Sequence, residues 1–264
     1  VSLEGKSVVV TGGAAGIGRY IARGCAERGA HVTIGDVDDG MLDAAEQELS
    51  AFGNGVRAIH CDVRVEEDAQ RLIDTAAEAF GTVDYLVNNA GIAPQTKWKP
   101  RWPYFRDMDA SLWNLVMDTN IHGLFLCSKA ALVHMERQRS GHIVNVHSWQ
   151  AGEAFTTAAL YVMSKKAALI FTRYLAEQER PYNICVMSIV PGGPFATESA
   201  PEELRATWFG PEIAGDRYFQ AADAPMCLSG RLLSVSDGHL VPIDYNFAAE
   251  NMPVPSEPAA DSVP

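Results

Sequence analysis

Tyr161 and Lys165 stand four residues apart, and Ser148 lies thirteen residues before Tyr161. On a helix, a spacing of four puts two side chains on one face, about one turn from each other. Residues 157–171 contain no Pro or Gly and are rich in helix formers, so they predict a helix through the pair. A phenol titrating near 10 is a poor base at neutral pH, but a neighbouring ammonium favours the phenolate. Lowering that pKa by about three units takes roughly 4 kcal/mol, a load that a lysine and a cationic ring can share. Such a tyrosine suits proton exchange with an alcohol or carbonyl, in step with hydride transfer. Solvated helix faces produce the same spacing by chance, so the pair gains meaning only from the elements around it.

Residues 6–10 form a short β-branched run, as expected of a buried parallel strand. The run leads into Thr11-Gly12-Gly13-Ala14-Ala15-Gly16-Ile17-Gly18, after which Ile17, Ile21 and Cys25 recur at helical spacing until Gly29. A strand, a glycine turn and a helix N-terminus together make an anion site. Backbone N–H groups and the helix dipole face a pyrophosphate there, and glycine lets it come close. The spacing is G-x-x-x-G-x-G rather than G-x-G-x-x-G. His31–Asp36 reads as a second strand ending in an acid 18 residues after Gly18. An acid at that place accepts hydrogen bonds from an adenosine ribose and repels a 2′-phosphate. No Lys or Arg stands just before Gly16 or just after Asp36, which favours NAD over NADP. The competing reading is an acid that merely caps the next helix, because residues 36–39 hold three aspartates.

The rest alternates in the same way. A helix is expected over residues 41–52 and a third strand over 56–63, with Asp62 near its end. A helix over 66–80 and a fourth strand over 83–87 follow, the strand opening into Asn88-Asn89-Ala90-Gly91. One long helical pattern covers residues 111–137 and places Asn120 among Val116, Leu124 and Phe125, where a polar group needs partners. A fifth strand ends at Ser148, a sixth covers 183–190 and a seventh 231–235, with short helices expected at 202–209 and 217–222. Connections this short imply an α/β fold: a Rossmann-type doubly wound parallel sheet of about seven strands with helices on both faces. Residues 1–247 read as a single domain and 248–264, rich in Pro, Ala and Ser, as a flexible tail. Active sites of open sheets lie at the C-terminal strand ends, so Ser148 and the glycine turn share one crevice. His147 alternates to the opposite face and reads as structural. Residues 92–109 and 193–228 read as substrate loops, the first carrying Trp98, Trp102, Tyr104 and Phe105.

A formal charge of −12 argues against nucleic acid and anionic membrane as partners. The chain shows no apolar run of membrane-spanning length and no basic-then-apolar leader. Its five cysteines are scattered without C-x-x-C spacing, so free thiols in a cytoplasmic setting are expected, and no metal site.

Taken together, the T-G-x-x-x-G-I-G turn, Asp62-Val63, N-N-A-G, the helix asparagine, Ser148, Y-x-x-x-K and a Pro191-Gly192 turn resemble the short-chain dehydrogenase/reductase family. The resemblance covers residues 3–238. It implies an NAD-dependent oxidoreductase that interconverts a secondary alcohol and a ketone. Tyr161 would be the general acid/base, and Lys165 would lower its pKa and hold the nicotinamide ribose. Ser148 would bond the substrate oxygen, and Asn120 would fix a water behind Lys165. Gly12, Gly16, Ile17 and Gly18 would line the pyrophosphate and ribose, and Asp36 the adenosine ribose. Asp62 and Val63 would meet the adenine, Asn89 would flank the cofactor, and Thr197 would reach the carboxamide. A homodimer or homotetramer is implied in the same way, and the aromatic loop suggests a hydrophobic or cyclic alcohol.

Against the family's pattern, residues 95–106 make a longer loop, the turn after the sixth strand has one extra residue before Thr197, and residues 197–230 are short by about a helix. Trp98, Trp102, Tyr104, Phe105, Trp149 and Gln150 are therefore expected to line part of the pocket. The alternative from another class is a non-catalytic dinucleotide-binding sensor or scaffold of the same fold. Loss of Tyr161, Lys165 or Ser148 would favour it, and all three are present. An epimerase or dehydratase relative would call for a longer chain with a substrate domain of its own.

Overall fold

The computed structural model describes residues 2–93, 104–148, 159–191, 195–197, 202–236 and 239–243. Among the described residues there are eight strands: β1 (Ser7–Thr11), β2 (His31–Asp36), β3 (Val56–His60), β4 (Tyr85–Asn88), β5 (Gly141–Val146), β6 (Ile184–Ile189), β7 (Leu232–Ser236) and β8 (His239–Pro242). They form one sheet in the order β3-β2-β1-β4-β5-β6-β7-β8. The first seven pair in parallel. Chain order reverses between β1 and β4, which opens a crevice at their C-terminal ends.

The β-branched strands bury both faces, and alternation decides which helices each face receives. Val8, Val10, Val32 and Ile34 pack under α1 (Gly16–Ala26), α2 (Asp39–Ser50) and the later α8 (Glu212–Tyr218). Val9, Leu86, Ile143 and Val186 pack under α3 (Glu66–Phe80), α5 (Gly123–Gln138) and α6 (Ala159–Glu179). Fully burying one such aliphatic side chain contributes about 1.5–3 kcal/mol.

The eighth strand adds an edge to the sheet of about seven strands that was expected. It runs antiparallel to β7 in a register from Leu233↔Pro242 to Ser236↔His239. The signal was present, since Asp237-Gly238 between two apolar runs is the sequence of a two-residue hairpin. A Pro at the end of a short, largely exposed edge strand hid it.

The expected long helix is also two helices. α4 (Ala110–Met117) and α5 are joined by a π turn over Asp118–His122, which carries Asn120. β3 stops at His60, so Asp62 and Val63 lie beyond the ladder. In the segment after Thr197, α7 covers Glu202–Arg205, and α8 starts at Glu212 rather than at 217. α8 docks on α1 through two glycines, with a methyl on Gly24 standing 2.7 Å from the Gly215 Cα. The tail at 248–264, most of the aromatic loop, and Trp149, Gln150 and Pro194 lie outside the described residues.

A line of buried polar side chains ties together the elements that carry the site. Asn88 Nδ2 donates to Asn145 Oδ1 and Ser128 Oγ, Asn145 Nδ2 donates to Thr172 Oγ1, and Thr172 Oγ1 meets Ser188 Oγ at 2.8 Å. β4, β5, β6, α5 and α6 are thereby cross-linked in a low-dielectric interior, where such bonds are strong.

Candidate active site

The glycine turn follows from close approach. Gly16 adopts φ +56°, which favours a residue without Cβ, and a Cβ built there would meet nothing within 4 Å. Gly18 lies so near the Gly12 carbonyl that a methyl would collide with it. α1 opens at Ala15 without a side-chain cap, so its first N–H groups rely on other partners. Asn89 holds the turn from the other side. Its Nδ2 donates to the carbonyls of Thr11 and Gly12, both at 3.0 Å, while Thr11 Oγ1 accepts from the amides of Asn89 and Ala90. Asn89 thus acts as a clamp between β1 and β4, and Thr11 is a partner that the sequence reading missed.

Asp36 ends β2 beside this turn, with Oδ2 accepting from the Ala14 amide at 3.2 Å and Oδ1 from the Val37 amide at 2.8 Å. The capping role belongs to Asp38, which accepts from Met41 at the start of α2. Asp36 is therefore not the helix cap of the competing reading. Asp62 is engaged more tightly than expected. The Arg64 guanidinium grips its carboxylate through contacts down to 2.6 Å and holds it below the usual carboxylate range. Val63 is buried against Gly123 at the start of α5.

At the ends of β5 and α6 the site is built from side chains. The Ser148 hydroxyl stands beside the Tyr161 phenol and pulls its pKa down. Lys165 is buried, donates from Nζ to the Val146 carbonyl at 2.8 Å, and lies 5.7 Å from the centre of the Tyr161 ring. Asn120 Oδ1 accepts from the Ile92 amide, and its Nδ2 donates to Ile92 O and to Ser164 Oγ. Ser164 Oγ in turn donates to the Tyr161 carbonyl. A methyl on Gly91 would stand 3.2 Å from Asn120 Oδ1 and 3.6 Å from Lys165 Nζ, so the turn after β4 touches both. The π turn aims Asn120 inward here, as such turns often do at functional sites.

Burial governs the electrostatics of the two titratable groups. Burial dominates at Tyr161 and pushes the phenol up, with the Ser148 bond pulling it down. Lys165 is itself lowered to about 8 by burial, and its ammonium is turned to Val146 rather than to the phenol oxygen. In this state the lysine does not set the direction of the tyrosine shift.

Thr197 is buried beyond β6, its amide bonded to Phe195 O at 2.9 Å. Arg217 of α8 fixes this stretch. It donates to the Pro191 carbonyl and lies within 6 Å of the Phe195 and Phe209 rings, at 5.9 and 5.8 Å from their centres. Tyr218 donates to Ile189 O at 3.0 Å and binds α8 to the end of β6. Neither residue was singled out beforehand, and a lone cation in a short helix gave no signal. The structure thus gathers Ser148, Tyr161, Lys165 and Asn120 into one cluster, and sets Gly12, Gly16, Gly18, Asp36 and Asn89 around the glycine turn.

Residues 6–206 match the short chain dehydrogenase family. The chain is 35% identical to cis-4-hydroxycyclohexanecarboxylate dehydrogenase of Sinomonas cyclohexanicum, over 89% of this chain and 96% of the relative. A structure of NAD+-bound xylitol dehydrogenase superimposes with a TM-score of 0.68 at 31% identity, covering 73% of this chain and 72% of the other. A short chain dehydrogenase from Burkholderia cenocepacia J2315 in complex with NADP gives 0.77 at 26% identity, covering 89% and 98%.

Proposed function

The chain belongs to the short-chain dehydrogenase family and is an oxidoreductase, and from that premise we propose that it is an NAD-dependent enzyme interconverting a secondary alcohol and a ketone, with Tyr161 as general acid/base. The observation that carries this reading is the placement of Ser148 beside a half-buried phenol one helical turn from a buried ammonium.

The residues fit a dinucleotide. Gly12, Gly16, Ile17 and Gly18 offer a turn open to a pyrophosphate, and Asp36 stands at the ribose end with Ala15 and Val37 rather than cations beside it. That absence of flanking charge supports NAD, since a 2′-phosphate would meet the Asp36 carboxylate unneutralised. Asp62, Val63, Asn89 and Thr197 would complete the cofactor site, with Lys165 on the nicotinamide ribose. The nicotinamide, when bound, supplies the hydride acceptor or donor.

The chain's own groups handle the proton. In oxidation, Ser148 holds the alcohol oxygen and Tyr161 takes its proton. Lys165 supplies positive charge beside the phenolate that must exist beforehand, and Asn120 holds the turn behind it. Ile92, Met108, Leu112, Val116, Met117 and Leu160 form an apolar cluster against Tyr161. Such a wall suits a hydrophobic or cyclic alcohol, and the hydroxycyclohexane acid named for one relative has that shape.

Assembly as a homodimer or homotetramer is part of the same proposal. Phe125, Val133, Met163, Ile170 and Tyr174 expose apolar surface on α5 and α6, Tyr174 being 72% exposed. No helix among the described residues is long and apolar enough to cross a membrane. The five cysteines are free, four of them buried, in keeping with a reducing cytoplasm.

The test is absorbance at the reduced-nicotinamide band, with NAD or NADP and a panel of cyclic, aryl and aliphatic secondary alcohols including cis-4-hydroxycyclohexanecarboxylate and xylitol. Growth with NAD and one group of alcohols is expected. Tight NAD binding with no turnover of any alcohol would contradict the reading and favour a sensor.

A further inference from the structure

His147 is a buried imidazole beside the site to which the reaction gives no role, being 3% exposed. It follows the last residue of β5. The ladder with β4 ends at Asn88↔Asn145, and that with β6 at Val146↔Ile189. His147 itself still donates its amide to Ile189 O at 2.9 Å, but the Ser148 amide lies past both ladders. Ser148 is buried, and a buried amide needs an acceptor. The imidazole of its own neighbour provides one: the Ser148 N–H donates to His147 Nδ1 at 2.6 Å.

The same Nδ1 lies 3.1 Å from the Ser148 carbonyl oxygen, which it could serve only as a donor, and the shorter contact with the amide is the one that assigns the tautomer. A proton on Nδ1 would face the Ser148 amide hydrogen, so Nδ1 carries the lone pair and Nε2 the proton. Nε2 is buried and has no hydrogen-bond partner among the described residues. The polar work of the ring therefore lies at Nδ1. We propose that His147 is a positioning residue for Ser148: its Nδ1 takes the amide hydrogen that the strand leaves unpaired, and so holds the Ser148 hydroxyl against the Tyr161 phenol. Only φ and χ1 separate that amide hydrogen from the Ser148 Oγ, so a held amide restricts where the hydroxyl points. Burial and the nearby Lys165 charge keep the ring neutral, with a pKa of about 4, so the acceptor persists across the neutral range.

The inference rests on the catalytic reading of Ser148 and Tyr161, and its test separates the two. Nitrogen-15 spectra of the histidine rings read the tautomer without any substrate: a proton on Nε2 is expected, and a proton on Nδ1 would overturn the proposal. Two variants then divide packing from acceptor. In His147→Asn, Oδ1 can take the place of Nδ1, whereas His147→Leu keeps the bulk and removes the acceptor. Hydrogen exchange of the Ser148 amide should quicken about tenfold in His147→Leu and stay near the unaltered value in His147→Asn. With NAD and cis-4-hydroxycyclohexanecarboxylate as probe, kcat should fall about five- to tenfold in His147→Leu and recover in His147→Asn, while the NAD dissociation constant stays unchanged in both. Equal exchange in the unaltered protein and His147→Leu, or a His147→Asn variant as impaired as His147→Leu, would overturn it. A protein that never turns over the probe but shows the predicted tautomer and exchange would support the bond between His147 and Ser148 and count against the catalytic reading alone.

Discussion

At the β1–α1 end of the site, the meeting groups are mainly backbone: the Thr11 and Gly12 carbonyls on Asn89, the Ala14 amide on Asp36, and a turn closed over Gly18. At the β5–α6 end they are titratable side chains taken out of water: Tyr161 raised by burial, Lys165 lowered to about 8, and His147 lowered to about 4. Backbone geometry suits a region that must bind the same cofactor each time, because it is stiff and indifferent to pH. Shifted side chains suit a region that must exchange a proton, and they cost stability to keep. Binding and proton chemistry are thus assigned to opposite ends of one crevice, and substitutions at the two ends should fail in different ways.

The largest effect is expected from Lys165→Met. Turnover should drop by about 10²–10⁴, the usual worth of acid–base machinery. Stability should move the other way. The native lysine titrates near 8 against 10.5 for the free side chain, so between those values the folded state binds fewer protons than the unfolded chain, and stability rises with pH. The full cost of the buried charge is carried below pH 8. Removing it should therefore stabilise the protein at pH 7 by about 1–4 kcal/mol, a gain that fades toward pH 10.5. Urea midpoints across that range measure it, and a gain that did not fade would break the assignment.

Gly18→Ala comes next and should strike the other end. The added methyl meets the Gly12 carbonyl and the Asn89 amide, and the expected loss is about 1–3 kcal/mol of stability. NAD affinity measured by calorimetry should weaken with it. Unchanged affinity would show that the turn does not receive the cofactor. A smaller effect is expected from Asp36→Ala combined with Val37→Arg. The ratio of NAD to NADP affinity should shift about tenfold toward NADP, or about 1.4 kcal/mol. A fixed ratio would remove Asp36 as discriminator.

The same contrast governs what could be read from the sequence. The glycine turn, the succession of strands and helices up to β7 and the spacing of Ser148, Tyr161 and Lys165 were legible, because periodicity and short-range spacing write them into neighbouring residues. Asp36 was legible as an acid at a strand end. Its partner, the Ala14 amide, was not, because that contact spans 22 positions. The grip of Arg64 on Asp62 depends on β3 ending at His60, and strand ends are poorly marked by composition. The π turn at Asn120 keeps a helical pattern on both sides and so passed as one helix. The surroundings of Tyr161 were not legible for a related reason. Spacing shows that Lys165 is near, but not that its ammonium points to Val146 or that desolvation dominates at the phenol. His147 read as structural by alternation alone, which cannot see that the ladder stops one residue before Ser148 needs it.

The division between a binding end and a proton-transferring end is tested most directly by Tyr161→Phe, with NAD affinity and turnover measured on the same preparation. The account predicts a dissociation constant for NAD within about twofold of the unaltered protein and turnover reduced by about 10²–10⁴. Turnover that survived the loss of the hydroxyl would contradict it.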